Sequence, residues 1–228
     1  MALDELMEEV THCRLCPRLV AWREEAARVK RASYAHETYW ARPISGFGDP
    51  AARVVVFGLA PAAHGGNRTG RVFTGDRSAD FLYASLHRTG YANQPISVSR
   101  DDGLRVTDLW VTAGVKCAPP ANKPTPVERD RCLSTWGVPE LAALDRARVV
   151  VCLGAFAWDA ALRVRAAMPG GDALPRPKPR FGHGTELRGS PWTLLGCFHP
   201  SPHNTFTGVL TPAMMDAAFE RARELSGG

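Results

Sequence analysis

Two histidines near the end of the chain lie in a proline-rich stretch that could hold a ligand. The sequence from Gly196 to Asn204 reads Gly-Cys-Phe-His-Pro-Ser-Pro-His-Asn and follows an apolar run typical of a β-strand. Proline fixes its own φ and pushes the residue before it out of the helical region. His199 and Ser201 should therefore have an extended, preset backbone, which favours a rigid loop with polar side chains at a strand exit.

Four of the six cysteines could share one metal centre. They are the Cys-x-x-Cys pair Cys13 and Cys16, and the later residues Cys117 and Cys132. Four thiolates suit either tetrahedral zinc or an iron–sulfur cluster, but the second pair is not Cys-x-x-Cys, so this is no standard zinc ribbon. Spacing alone leaves zinc, a cluster and unligated thiols open. Cys152 and Cys197 lie within apolar runs, so we interpret them as small buried hydrophobic residues.

A long loop rich in small residues runs from Gly58 to Asp76, after the first apolar run. It lacks the Gly-Lys-Ser/Thr of a P-loop and the spacing of a dinucleotide fingerprint, which argues against ATP and NAD. Gly58, Ala60 and Ala62 would let backbone amides approach a ligand closely. Phe73 is an aromatic side chain in a polar loop. It could stack on a base, or it could be tucked under the fold.

The elements that must position these residues alternate between strand and helix. Four apolar runs predict buried parallel strands, and helical patterns separate them. The predicted strands are Arg53–Phe57, Val106–Thr112, Arg148–Leu153 and Trp192–Phe198. The predicted helices are Ala2–Val10, Pro17–Arg31, Ser78–Arg88, Pro126–Leu144, Ala155–Met168 and Thr211–Leu225. This order indicates one α/β domain over residues 1–228, with three α/β/α layers and a four-stranded, mainly parallel central sheet.

Ligands of such sheets bind beyond the carboxyl ends of the strands. The loop after Gly58, the segment that ends at Cys117 and the loop that carries His199 all follow predicted strands. We therefore expect the functional site at this edge of the sheet.

Composition restricts the partners only loosely. The 228 residues carry a formal charge of +5, which is compatible with a polyanionic partner. The acidic N-terminus has no signal-peptide pattern, and no apolar run approaches the roughly 18 residues of a membrane span. We expect a cytoplasmic monomer that does not associate with membranes. Structural disulfides are rare in that compartment, so the cysteines indicate metal binding, catalysis or burial.

Together, these motifs resemble the iron–sulfur uracil-DNA glycosylases. The matching segments are Cys13-x-x-Cys16, Gly58-Leu59-Ala60-Pro61-Ala62, Thr69-Gly70-Arg71-Val72-Phe73, Val115-Lys116-Cys117-x-Pro119-Pro120, Cys132 and His199-Pro200-Ser201-Pro202, in family order. The chain resembles the fifth family, or type b, more than the fourth. The fourth family has Gly-Glu-x-Pro-Gly at positions 58–62, and an asparagine that reads uracil where this chain has Ala113.

The resemblance implies a four-iron four-sulfur cluster on Cys13, Cys16, Cys117 and Cys132. It also implies an enzyme that flips uracil out of DNA and hydrolyses the N-glycosidic bond, which leaves an abasic site. We expect His199 to stabilise the departing base as a neutral hydrogen-bond donor. Asp76 is the candidate for activating water or stabilising the sugar, and the alternative is a helix N-cap.

Further roles follow from the same resemblance. Phe73 would stack on the flipped base, with Gly58, Ala60, Ala62, Ala113 and Asn204 around it. Asn204 could instead fix the His199 loop, and His64 is a further candidate for the pocket. Ser201, Pro202 and His203 would push into the duplex and hold the gap. Because Ala113 cannot read a base edge, we expect other deaminated bases such as hypoxanthine to be accepted as well.

Two other functions compete with this interpretation. A metal-stabilised nucleic-acid-binding module without catalysis would bind DNA and leave uracil intact. An iron–sulfur redox protein would explain the cysteines, but it would leave Phe73 and the His199 loop without a purpose.

Overall fold

A six-stranded mixed sheet forms the centre of the protein in the computed structural model, which describes residues 2–227. The strands are β1 (Phe47–Gly48), β2 (Val54–Gly58), β3 (Leu109–Ala113), β4 (Val149–Leu153), β5 (Glu186–Leu187) and β6 (Thr193–Cys197). Their order is β1-β3-β2-β4-β6-β5. The four central strands are parallel, and the two-residue strands β1 and β5 pair antiparallel at the edges.

Helices cover both faces of the sheet. They are α1 (Leu3–Thr11), α2 (Pro17–Val29), α3 (Gly66–Thr69), α4 (Arg77–Arg88), α5 (Pro126–Cys132), α6 (Val138–Ala143), α7 (Ala155–Ala167), α8 (Pro202–Phe206) and α9 (Pro212–Leu225). Helices α4 and α9 pack on one face, and α1, α6 and α7 pack on the other. Alternate side chains of β2 enter the two cores, because successive residues of a strand point to opposite faces. The predicted three-layer α/β class is confirmed.

Three expectations about individual elements are wrong. The sheet has six strands rather than four, because β1 and β5 are too short to show a periodic pattern. The strand predicted from Val106 begins at Leu109, because Asp108 has a left-handed φ of 55° that no regular strand accommodates. The helix predicted over Pro126–Leu144 is interrupted by a π-helical turn at Leu133–Gly137. Pro139 follows at the start of α6 and lacks the N–H of a regular helix.

The strand order creates a crevice at one edge of the sheet. The chain moves outward from β2 to β3, and then returns to the other side of β2 to form β4 and β6. The carboxyl ends at such a reversal are the usual ligand sites of open α/β sheets. The loop of residues 59–76 leaves β2 at this point, and the His199 loop leaves β6 at the same edge.

None of the helices within residues 2–227 is long and apolar enough to cross a membrane.

Candidate active site

A cleft of about 340 Å³ opens beyond the carboxyl ends of the parallel strands. The loop after β2, the loop after β3 and the loop after β6 contribute its walls. Seven residues singled out from the sequence line it together: Ala60, Ala62, Phe73, Asp76, His199, Ser201 and Pro202. The volume is within the range of small-molecule pockets and is large enough for a single nucleobase.

Phe73 lies against the end of β2 and faces this cleft. Its backbone has a φ of 48°, in the left-handed region that residues other than glycine seldom adopt. Its ring lies so close to Gly58 that a Cβ there would be 2.7 Å from Cε2 and Cζ. The ring centroid is 6.1 Å from that of His199, with an interplanar angle of 38°. Backbone conformations of this kind cluster at functional sites, where the surrounding structure must hold them in place.

Asp76 both caps a helix and lines the cleft. Its Oδ1 accepts a hydrogen bond of 3.0 Å from the backbone N–H of Ala79, which satisfies one free donor at the start of α4. Burial raises the pKa of the Asp76 carboxyl above its ordinary value, and hydrogen bonds from the Ala79 and Ser78 N–H groups oppose that rise. Asp76 is therefore the N-cap of α4, and this hydrogen bond orients its half-buried carboxylate toward the cleft.

His199 is held in place through its own backbone. Its carbonyl oxygen accepts a 2.8 Å hydrogen bond from Nδ2 of Asn204, and the Ser201 side chain caps the following helix α8. Burial lowers the pKa of His199 to about 4. The imidazole is therefore neutral at pH 7, so it keeps one ring N–H as a donor and adds no positive charge to the site.

Other predicted residues lie outside the cleft wall. Gly58 and Ala113 are register partners at the ends of β2 and β3, and Ala113 is 4% exposed. Asn204 supports the His199 backbone, and His203 is exposed on the first turn of α8. His64 lines an adjoining depression, where its Nδ1 lies 3.0 Å from the Tyr39 hydroxyl.

Asn122 lines the cleft and was missed by the sequence analysis. It has a left-handed φ of 55°, as does its neighbour Ala121 with 51°. Its side-chain amide makes no hydrogen bond to another residue within the part of the chain described. An amide supplies both donors and acceptors, so Asn122 can read a polar edge. The sequence feature that could have pointed to Asn122 is its place in a Pro-Pro-Ala-Asn turn, because asparagine tolerates a left-handed backbone.

The four cysteines Cys13, Cys16, Cys117 and Cys132 line a second cavity, beside the start of α2 and the π-helical turn. Arg23 donates a 2.9 Å hydrogen bond to Sγ of Cys117, and the Lys116 N–H donates to Sγ of Cys132 at 3.3 Å. Nε1 of Trp136, which lines the same cavity, is buried without a partner. Across residues 2–227, no three His, Cys, Asp or Glu side chains come together as a site for one metal ion.

A buried ion pair that the sequence analysis did not anticipate lies behind this cavity. Lys116 and Glu140 have side chains 2% and 0% exposed and contact each other directly. Glu140 also accepts hydrogen bonds of 3.0 Å from Trp110 and Thr112 on β3. The network fixes the segment between Ala113 and Cys117, so it links the end of β3 to the cysteine cavity.

Comparison with known proteins agrees with this geometry. The family model "Uracil DNA glycosylase superfamily" matches residues 45–223. A type-5 uracil-DNA glycosylase of Mycobacterium bovis is 54% identical over 99% of this chain and 82% of its own length. The type-5 enzyme of Thermus thermophilus is 46% identical over the whole of both chains. A type-4 uracil-DNA glycosylase of Archaeoglobus fulgidus is 29% identical over 68% of this chain and 61% of its own. The protein therefore belongs to the uracil-DNA glycosylase superfamily, and its likeness is to the type-5 enzymes.

Proposed function

We propose that this protein removes uracil from DNA by hydrolysing the N-glycosidic bond of a flipped nucleotide. The observation that carries the proposal is the meeting of Asp76, Phe73 and His199 in one cleft at the strand ends. Curated relatives 43–54% identical over nearly the whole chain bear the name type-5 uracil-DNA glycosylase. A DNA substrate is also consistent with the +5 formal charge. We propose that the protein acts as a monomer in the cytoplasm.

The cleft can hold a base only after the nucleotide has left the duplex. Enzymes that act on a base extrude it into a pocket that stacks and reads it. Phe73 supplies an aromatic face at the cleft, and the Asn122 amide supplies donors and acceptors for a base edge. Pro202 lines the cleft and is exposed on α8, where it can enter the gap left in the duplex.

The cleavage step requires stabilisation of two opposite charges. As the bond between C1′ and the base nitrogen breaks, its electron pair leaves with the base and the sugar becomes oxocarbenium-like. The N–H of neutral His199 donates to a base oxygen and stabilises the anion. The Asp76 carboxylate stabilises the cationic sugar and takes a proton from the water that attacks C1′. That proton then passes through solvent to the released uracil anion, which restores the carboxylate.

We further propose that discrimination between bases is relaxed. A site that hydrogen-bonds a base edge rejects analogues that lack the matching group. Ala113 places a methyl group at the end of β3, so the strand itself offers no edge reader there. The Asn122 amide lies on an exposed loop, and a loop residue is positioned less precisely than a strand residue, so it should discriminate between bases less strictly. We expect uracil to be removed and hypoxanthine to be removed as well.

We propose that the cysteine cavity holds a four-iron four-sulfur cluster rather than a zinc ion. One zinc ion needs its ligands gathered at a point, whereas a cluster separates its four thiolates around a larger body. The cysteines surround a cavity instead of meeting at one point, and the unpartnered Trp136 N–H lines it. With four protein ligands, such a cluster would have no open position for substrate and would serve as a brace. Cys13 and Cys16 would thereby join the N-terminal segment to Cys117 and Cys132.

Single-turnover excision tests the proposed chemistry. The wild-type protein and the variants Asp76→Asn and His199→Asn are incubated with a labelled uracil duplex, and alkali then cuts any abasic site. We expect cleavage at uracil by the wild type and a loss on the order of 100- to 1000-fold in each variant. Glu220→Gln on α9 is the control and should be unaffected. Binding of the duplex without any cleavage would instead support a non-catalytic binding module.

Iron analysis tests the cofactor separately. The purified protein should be brown, contain about four irons and lose its visible absorbance in Cys132→Ser. Cys152→Ser is the matched control, because Cys152 is buried in β4 and does not line the cavity. A colourless protein that contains one zinc ion would contradict the cluster.

A further inference from the structure

An exposed aromatic side chain lies beside the cleft without lining it. Phe206 ends α8 and is 71% exposed, the highest exposure of any large hydrophobic residue described within 2–227. A single exposed hydrophobic side chain needs no explanation by itself. Two features indicate a functional role for Phe206: its position on α8 and its contact with Arg77.

Phe206 continues the helix face that borders the cleft. With 3.6 residues per turn, it lies about 40° around the axis from Pro202 and falls between Pro202 and His203. All three side chains are exposed, while Pro202 also lines the cleft. Phe206 lies about 6 Å further along the axis, a distance close to two base-pair steps. The three residues form a ridge that runs from the cleft wall out onto the surface.

Arg77 holds the Phe206 ring and brings a free positive charge to it. The guanidinium carbon lies 5.1 Å from the ring centroid, in the geometry of a cation–π contact. Arg77 is exposed at the start of α4, directly after Asp76. For the described residues, no hydrogen bond or ion pair joins its guanidinium to another side chain. One face of the ring is therefore supported, the rest is open, and the charge is available for a phosphate.

We propose that Phe206 stacks on the base of the complementary strand that loses its partner when uracil flips, with Arg77 neutralising a phosphate nearby. The inference rests on the proposed uracil excision and extends it to the second DNA strand. Base flipping leaves that base without a pairing partner, and an aromatic face stabilises an unpaired base regardless of its sequence. The same stacking would oppose return of uracil to the duplex. Phe206 is thus a positioning residue outside the catalytic cleft.

The test compares Phe206→Ala with the wild type on three substrates under single-turnover conditions. They are a uracil duplex, a duplex with an abasic analogue opposite uracil, and the single-stranded uracil oligomer. If Phe206 stacks on the opposing base, the single-turnover excision rate of Phe206→Ala should fall by roughly 10- to 100-fold on the first substrate. On the other two substrates the rate should fall by no more than about twofold. Phe206→Trp should retain the wild-type rate. Leu174→Ala removes another exposed hydrophobic side chain, 40% exposed, and should change nothing. Thermal melting and visible absorbance verify that each variant is folded.

Equal losses on all three substrates, or no loss on the normal duplex, would overturn the role of Phe206. An equal loss on the duplex that lacks the opposing base would also overturn it, because nothing is there to stack upon. Each of these results concerns Phe206→Ala alone and leaves the excision activity of the wild type intact. If the wild type releases uracil from none of the substrates, the proposed function itself is wrong and the inference fails with it.

Discussion

Gly58→Ala tests the position of Phe73 by steric means alone. The backbone of Gly58 is ordinary strand, so alanine adds no strain of its own. Its Cβ would lie 2.7 Å from Cε2 and Cζ of Phe73, whereas ordinary contacts begin at 3.4 Å. The ring must therefore move by about 0.7 Å or more, and a misplacement of about 1 Å at an active site costs about 100-fold. We expect single-turnover uracil excision to fall by roughly 10- to 100-fold.

Two comparisons isolate the ring as the cause. Gly114→Ala adds a methyl group near the same sheet edge, where its Cβ meets Ala160 at an ordinary 3.4 Å, and should leave excision unchanged. Phe73→Ala should slow excision by itself, because it removes the stacking surface. Gly58→Ala should then add no further loss to Phe73→Ala, because the two changes act through one contact. Full additivity of the two losses, with all variants folded by thermal melting, would refute this account of the cleft.

Four further predictions address charge, specificity and stability. Asp76→Asn keeps an N-cap but removes a half-buried charge, so the variant should melt at a higher temperature at pH 7 and excise uracil far more slowly. An unchanged melting temperature would contradict the cost of burying this charge. Because burial lowers the pKa of His199 to about 4 from 6.5, the unfolded chain binds a proton between these values that the folded chain does not. The contribution of His199 to the free energy of unfolding should therefore be fully present above pH 6.5 and be lost as the pH drops toward 4. In denaturant titrations, the free energy of unfolding of His199→Asn should fall less steeply across that window. Ala113→Asn should lower hypoxanthine excision relative to uracil by at least about tenfold in matched oligonucleotides, and an unchanged ratio would show that position 113 does not read the base. Glu140→Ala should lower the free energy of unfolding by about 3–5 kcal/mol, because it leaves Lys116 as an unpaired buried charge; a loss below about 1 kcal/mol would indicate that water reaches the pair.

The sequence predicts this fold well where a pattern is local. The β-branched runs Val54–Val56 and Val149–Val151 fall in β2 and β4, buried on both faces as parallel strands must be. The proline-rich His199 loop also lies where its strand-exit position predicts, at the edge that carries the cleft. Local patterns fail where one residue departs from them, as Asp108 does with its left-handed backbone.

Functional residues that depend on distant contacts were harder to recognise. Asn122 enters the cleft only because a left-handed turn directs the chain after β3 toward Asp76. Lys116 and Glu140 lie 24 residues apart, and the π-helical turn and α6 bring them together. No periodicity encodes such pairings, because they arise from tertiary packing.

The structure of the Asp76→Asn protein bound to a duplex that contains uracil tests the central claim most directly. Slowed cleavage should trap the intact substrate in the cleft. We predict that the uracil ring lies outside the duplex and stacks on Phe73, with a base oxygen at hydrogen-bond distance from the His199 imidazole. A uracil that remains paired within the helix, or one bound away from both side chains, would contradict the proposed mechanism.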